Sequence, residues 1–319
     1  MRSEKLRETV QHRVGTGRRG APLPRPGAYA SGMATGGAAA DLMASAERKA
    51  AVARARHESD SDAAQQHELL AGQAPTEALR AGYLRMAEVH RSTAARHLTA
   101  ARLQDDYVAR LSSWSRERGA PEPLFMSGVA AACGTTSAAV TLAGATLEQL
   151  ALAASDEPAR AAQELEFLLG EGPARDATCL VRPVTAAGSA LLDRWPGYGP
   201  AVAGLGIGTV VAVPLSLSGT CIGALAVFDP VRGVTDPDTF AEVAEALTRS
   251  MILSVDGDPG MYGATDLRAK VHQASGMVCV HLDCPVTDAL ELIKARAFAE
   301  GVSVHSVAER ILRGELRVG

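Results

Sequence analysis

Hydrophobic residues are spaced in three different ways along this chain, and each spacing predicts a different kind of element. Between residues 40 and 118 Ala, Arg, Glu and His dominate and helix breakers are scarce. ADLMASAERKAAVARARHE reads as one helical run. AGQAP, around Pro75, ends it, and Thr76 stands where a second run needs its N-cap; that run continues to about Arg116. Leu79, Met86, Thr93, Ala100, Tyr107 and Trp114 recur every seven residues, with His90 and His97 at the same interval on a neighbouring face. Heptad spacing of this kind predicts a helical hairpin or a self-associating coil, with the two histidines partly exposed beside its seam.

The pattern changes after residue 118. SAAVTLAG, ATLEQLALAAS, TCLVRPVT, GTVVAVPLSLSG and TCIGALAVFD are short β-like runs bounded by Gly, Pro or Ser, and LSGTC reads as the turn joining the last two. Helical stretches at 157–168 and 189–192 separate the earlier runs, and DPDTFAEVAEALTRSMILSV, entered through Asp236 and Pro237, follows them. This order predicts an antiparallel sheet with helices on one or both faces. DGDPGMYGATD is a glycine-rich break.

Helical spacing returns at the end of the chain. Leu267, Val271, Ala274, Val278 and Leu282 make one stripe; Val286, Ala289, Leu290, Ile293 and Ala297 make a second; Val304, Val307, Ala308 and Ile311 make a third. Three amphipathic helices, the last capped by Ser303 and stopped near Gly314, form a minimal bundle. The whole is an α+β multidomain chain. Residues 1–38 are a disordered basic tail, 39–118 a helical hairpin or coiled-coil segment and 119–255 a sheet domain; 256–265 form a linker and 266–316 the bundle.

Charge narrows the function classes. The chain carries a net charge of −4, with seven cations against two carboxylates in residues 1–35, six against fourteen in 120–254 and seven against seven in 264–319. No segment is basic enough to identify a nucleic-acid partner by charge alone. The five cysteines are odd in number and form no CxxC pair, so reduced thiols are expected. No apolar run approaches the roughly 18 residues of a bilayer span. The N-terminus lacks the apolar core of a secretory signal. A cytoplasmic protein without membrane contact is the expectation.

Candidate chemistry is sparse. Residues 120–254 contain no histidine, and Cys133, Cys179 and Cys221 have no evident base beside them, which argues against catalysis. No metal set or cofactor is indicated. GEGP, with Gly170, Gly172 and Pro173, reads as a tight turn feeding a strand; it either lines a ligand cup or only turns the chain. Trp195 and Tyr198 flank a PG pair, as a lid over a small apolar ligand or as core cover. On the outward side of the first bundle helix fall Arg268, His272, Ser275 and Cys279. Lys294 and Arg296 flank the second helix, and Ser306, Arg310, Arg313 and Arg317 line the third. Gly276, off the core stripe, leaves a smooth outer face.

Four stretches resemble the GAF sensor domains of actinobacterial regulators: LEFLLGEGPARDA (165–177), RWPGYGPAVAGLGIGTVVAVPL (194–215), GTCIGALAVFD and the amphipathic helix that closes the domain. Ala174 stands where that family often has Cys. VHQASGMV, TDALELIKARAFAEG and SVHSVAERIL together resemble an ANTAR domain, the RNA-binding antitermination module. Ser275 replaces the family's usual lysine and Gly301 its asparagine, whereas Lys294 matches a basic position. The resemblance implies a homodimeric transcription antiterminator that binds RNA stem-loops rather than DNA, under the control of an unknown small ligand or redox state. Its RNA contacts would come from Arg268, His272, Ser275, Gly276, Lys294, Arg296, Arg310 and Arg313. Its ligand contacts would come from Gly170, Gly172, Pro173, Trp195 and Tyr198. Two other readings stand beside it: a ligand-sensing protein-interaction or dimerisation module that does not bind RNA, and an enzyme with Cys179 as redox nucleophile.

Overall fold

Alanine sets the geometry of the N-terminal hairpin. The computed structural model describes residues 31–117, 122–144, 147–217, 219–231, 237–253 and 266–317. Its first elements are α1 (Ser31–Gly72) and α2 (Glu77–Trp114), with Thr76 Oγ1 accepting the Leu79 N–H at 3.3 Å to cap the second. Helix α1 begins inside the expected tail; residues 1–30 of that tail lie outside the described residues. Ala39, Ala46, Ala53, Ala64 and Ala71 of α1 are buried, as are Ala87, Ala94 and Ala101 of α2. Such small side chains allow close helix approach.

The expected heptad seam holds only at the end of α2 nearest the sheet. Ala100 and Tyr107 are buried, but Leu79 and Met86 are 48% and 46% exposed. A strict heptad drifts about 20° per repeat around a straight α-helix, and Ala87 and Ala94 take over the seam near the loop. His97 is buried rather than partly exposed, with Nε2 3.6 Å from Asp60 Oδ2, while His90 Nδ1 lies 2.9 Å from the other oxygen of that carboxylate.

Six strands follow: β1 (Ser137–Ala143), β2 (Gln149–Ala154), β3 (Val184–Ala187), β4 (Thr209–Leu217), β5 (Thr220–Phe228) and β6 (Asp266–Leu267). They form one antiparallel sheet in the order β3-β4-β5-β1-β2-β6. Alternation along the strands sends successive residues to opposite faces. Val140, Val211, Val213, Leu215, Leu225 and Val227 meet α2, α3 (Phe125–Ala132) and α8 (Pro237–Leu253). Ala139, Ala212, Ala224 and Ala226, with Leu152, Val210 and Phe228, form the other face, on which α4 (Glu157–Leu169), α5 (Pro173–Leu180), α6 (Ser189–Arg194) and α7 (Tyr198–Gly204) pack.

Helices α3 and α7 were not predicted by the pattern, and TCLVRPVT is not a single strand. Its first part ends α5, where Ala174 and Ala177 pack on the alanine face, and only Val184 onwards pairs as β3.

The chain ends in α9 (Ala269–Leu282), α10 (Val286–Glu300) and α11 (Val304–Leu312). Val271, Ala274, Val278, Ala289, Ile293, Ala297, Val304, Val307, Ala308 and Ile311 form their common core. Two expected core positions differ. Leu267 sits in β6 opposite Ala151, and Val286, at the first turn of α10, is 51% exposed. Most of the expected linker, 256–265, lies outside the described residues. The architecture is α+β: a helical N-terminal region, an antiparallel sheet with flanking helices, and C-terminal helices. Among the described residues no helix is long and apolar enough to cross a membrane.

Burial, with Arg249 nearby, lowers the His97 pKa, while Asp60 pulls it upward. The fold therefore favours the neutral form of His97. Its stabilising contribution is present above the ordinary histidine value of 6.5 and is lost as pH falls towards the lowered folded value. We expect His97→Gln to reduce the loss of melting midpoint between about pH 7.5 and 5.5, followed by circular dichroism of the hairpin-rich chain. An identical loss in parent and variant would count against this assignment.

Candidate functional site

LEFLLGEGP builds two helix caps. Gly170 ends α4 in the left-handed region at φ 69°. Two residues on, Gly172 has φ 153°, and a Cβ there would come within 2.6 Å of the Glu166 carboxyl carbon. The missing side chain lets Glu166 fold back over the start of α5, where its Oε1 accepts the Arg175 N–H at 2.5 Å. Glu171 Oε1 meanwhile accepts the N–H groups of Gly197 and Tyr198, at 2.6 and 2.9 Å, at the start of α7. Carboxylates satisfy the otherwise unpaired N–H groups of helix starts and suit their partial positive charge. Instead of feeding a strand, GEGP ends one helix and starts another, with Pro173 in the first turn.

Trp195 and Tyr198 are core residues, 3% and 0% exposed, packed edge to face at a centroid distance of 6.2 Å. Neither they nor the two glycines line the cavity beside α4. That cavity, of about 310 Å³, lies where α4, α5, β1 and β2 meet α10. Its polar lining includes Thr141, Gln149, Gln163, Glu166 and Thr178 with the charged Glu148 and Arg175, its apolar lining includes Leu147, Phe167 and Leu290, and Asp288, Glu291 and Lys294 stand on the α10 side.

The floor of the cavity is one continuous hydrogen-bonded chain. Gln163 donates to Glu166 Oε2 at 3.0 Å and accepts from Thr141 Oγ1 at 2.5 Å. Gln149 donates to the same hydroxyl at 3.4 Å and accepts from Arg268 Nε at 2.8 Å. Arg268 Nη2 also lies 2.9 Å from Glu164 Oε1. The Arg268 guanidinium stacks on Phe167, 4.1 Å from the ring centroid, and Lys294 Nζ is 4.6 Å from the same centroid. Phe167 thus belongs to α4 but packs in the core of the bundle.

The structure redistributes the cations expected to face outward. Arg268 is fully buried, because β6 carries it into the sheet edge, where its N–H bonds to Leu150 O at 3.2 Å. Ser275 is also fully buried and donates to Val271 O at 2.8 Å. His272 is half-buried. The Lys294 side chain is only 12% exposed and contacts Glu291 at 3.0 Å. Arg296 and Arg310 both pair with Glu300 and hold its carboxyl below the usual range, Arg310 with the larger effect. Arg313, 56% exposed, bonds Glu315 at 2.9 Å. Gly276 has nothing within 4 Å of where its Cβ would stand.

Phe167, Glu164, Gln149, Gln163 and Thr141 escaped the sequence reading. One signal pointed to Phe167. Helix α4 turns Ala159 and Ala162 towards the sheet yet carries Phe167 and Leu168 on another side, and two apolar sides on one helix imply two partners. Cys179 is exposed on α5, and burial pushes the Cys133 thiol up to about 12. Among the described residues no group of three or more His, Cys, Asp or Glu is arranged to hold a metal ion.

Burial raises the Glu166 carboxyl to about 7, against the opposing pull of its hydrogen bonds. A raised folded value means that this group's contribution to stability is full below the ordinary 4.5 and declines as pH rises from there to about 7. Urea unfolding should show Glu166→Gln gaining stability relative to the parent across that window, and a constant difference would refute it. Comparison of the chain with protein-family models, with curated proteins and with solved structures gave no match.

Proposed function

We propose that this chain is a signal-responsive RNA-binding regulator of the GAF and ANTAR kind, acting in the cytoplasm. The sheet domain senses a small molecule, and the three-helix bundle binds stem-loop RNA as part of a homodimer, preventing a terminator hairpin from forming. The observation that carries this reading is the hydrogen-bonded chain running from the cavity floor to Arg268. A ligand that rearranges Thr141, Gln149 or Gln163 alters the hold on the residue that begins the bundle. Coupling of two sites needs a physically connected element of this type. The cavity replaces the GEGP turn and the Trp195–Tyr198 pair as the sensing site, and its volume suits a compact ligand.

RNA binding is supported by the sequence resemblance and by the exposed cations Arg296, Arg313 and Arg317. Each is a modest contributor, since the first two already have carboxylate partners. A homodimer answers this weakness, because two linked bundles gain from effective concentration. Replacing both Arg296 and Arg313 by Ala should weaken binding to an RNA with two stem-loops and flatten its dependence on salt by about two logarithmic units of slope, about one per phosphate contact. Fluorescence anisotropy across a salt series measures both. Unaltered affinity and slope would defeat the RNA reading.

One observation favours the interaction-module reading. Met277 and Val280 are 49% and 84% exposed beside Gly276, on a groove shared with Leu312 and Leu316. Gly276→Ala fills open space and should stabilise the bundle by about 0.5–1 kcal/mol in thermal melts. If sedimentation then shows self-association lost while RNA binding persists, the groove is a protein-docking face; RNA binding lost with assembly intact assigns it to RNA.

A further inference from the structure

Two cations of the bundle, Arg268 and Lys294, are covered by one helix of the sheet domain. Arg268 and Lys294 lie against the Phe167 ring, at 4.1 and 4.6 Å, and Arg268 is bridged to Glu164 at 2.9 Å and to Gln149 at 2.8 Å. Arg268 is fully buried and the Lys294 side chain is 12% exposed. A phosphate cannot reach a guanidinium in that position without displacing α4. The favourable terms on α4 are an aromatic face and a carboxylate, and a polyanion competes for the same two cations.

We propose that the ridge of α4 formed by Glu164 and Phe167 is an autoinhibitory latch: bundle docking and RNA binding are mutually exclusive uses of Arg268 and Lys294. The inference rests on the RNA reading above and adds the state in which the chain is silent. In the docked state the bundle offers RNA Arg317 and the carboxylate-paired Lys270, Arg296, Arg310 and Arg313. In the released state Arg268 and Lys294 join them. The cavity lies directly behind the latch and takes one wall from α10, so a ligand that contacts both walls binds the docked form better and holds the chain silent.

The sensor-side residues Glu164 and Phe167 provide the test, because neither is a proposed RNA contact. Glu164→Gln keeps the side-chain shape and removes the ion pair; Phe167→Ala removes the ring. Two measurements are made on the full chain: amide hydrogen exchange in α9 and α10, which reads docking without RNA, and anisotropy with the two-stem-loop RNA. The latch predicts faster exchange in both variants and RNA affinity raised about tenfold, the change expected when the competent fraction rises from a tenth to nearly all. Faster exchange with measurable but unchanged RNA affinity overturns the latch, as does unchanged exchange in both variants. Faster exchange with no RNA bound by parent or variants overturns the RNA reading itself, and this inference with it. Circular dichroism of Glu164→Gln matching the parent shows that release is not unfolding.

Discussion

A buried guanidinium joins the two ends of this molecule's logic. Taking an arginine fully out of water costs on the order of several kcal/mol unless its charge and N–H groups find partners. Arg268 finds them on two different elements, Gln149 at the start of β2 and Glu164 on α4, and lays its flat side on Phe167. All three partners lie more than 100 positions away in the chain. The bundle's first helix is therefore aimed by contacts with the sheet domain, and β6 extends the sheet by two residues to bring it there.

The sheet domain is built so that this junction can form. One face of the sheet carries valines and leucines and receives α2, α3 and α8; the other is mostly alanine and receives four short helices. Short helices have many unpaired N–H groups for their length. Glu166 and Glu171 satisfy several of them, and the space left by Gly172 is what allows Glu166 to do so. The same Glu166 then anchors Gln163 and, through Thr141, the amide of Gln149 that holds Arg268. A motif concerned with local chain reversal thus becomes one end of a network that reaches the bundle.

The hairpin follows a simpler rule. Its alanine seam provides little apolar area per residue, so it leans on length and on cross-helix ion pairs such as Arg54 with Asp105 at 2.5 Å. Asp60 lies between His90 and His97, and the hairpin is tied onward to α8 through Arg96 and Glu245.

The sequence by itself determined the features that depend on neighbours in the chain. The break at Pro75, the Thr76 and Ser303 caps, the hairpin turn between β4 and β5, and the three-helix ending all follow from local propensity and periodicity. So do most core positions of α9, α10 and α11, because a stripe at 3.6-residue spacing has one sensible partner in so small a unit. Tertiary structure alone decided which of those stripes met something other than the bundle. A helical wheel puts Arg268 outward because it contains no sheet. It lets GEGP feed a strand because it contains no Glu166 folded back on a new helix. It leaves the cavity invisible because its walls come from five elements. Local patterns fix elements through short-range sterics and hydrogen bonds, whereas the burial of a charge is settled by partners that only folding brings within 3 Å.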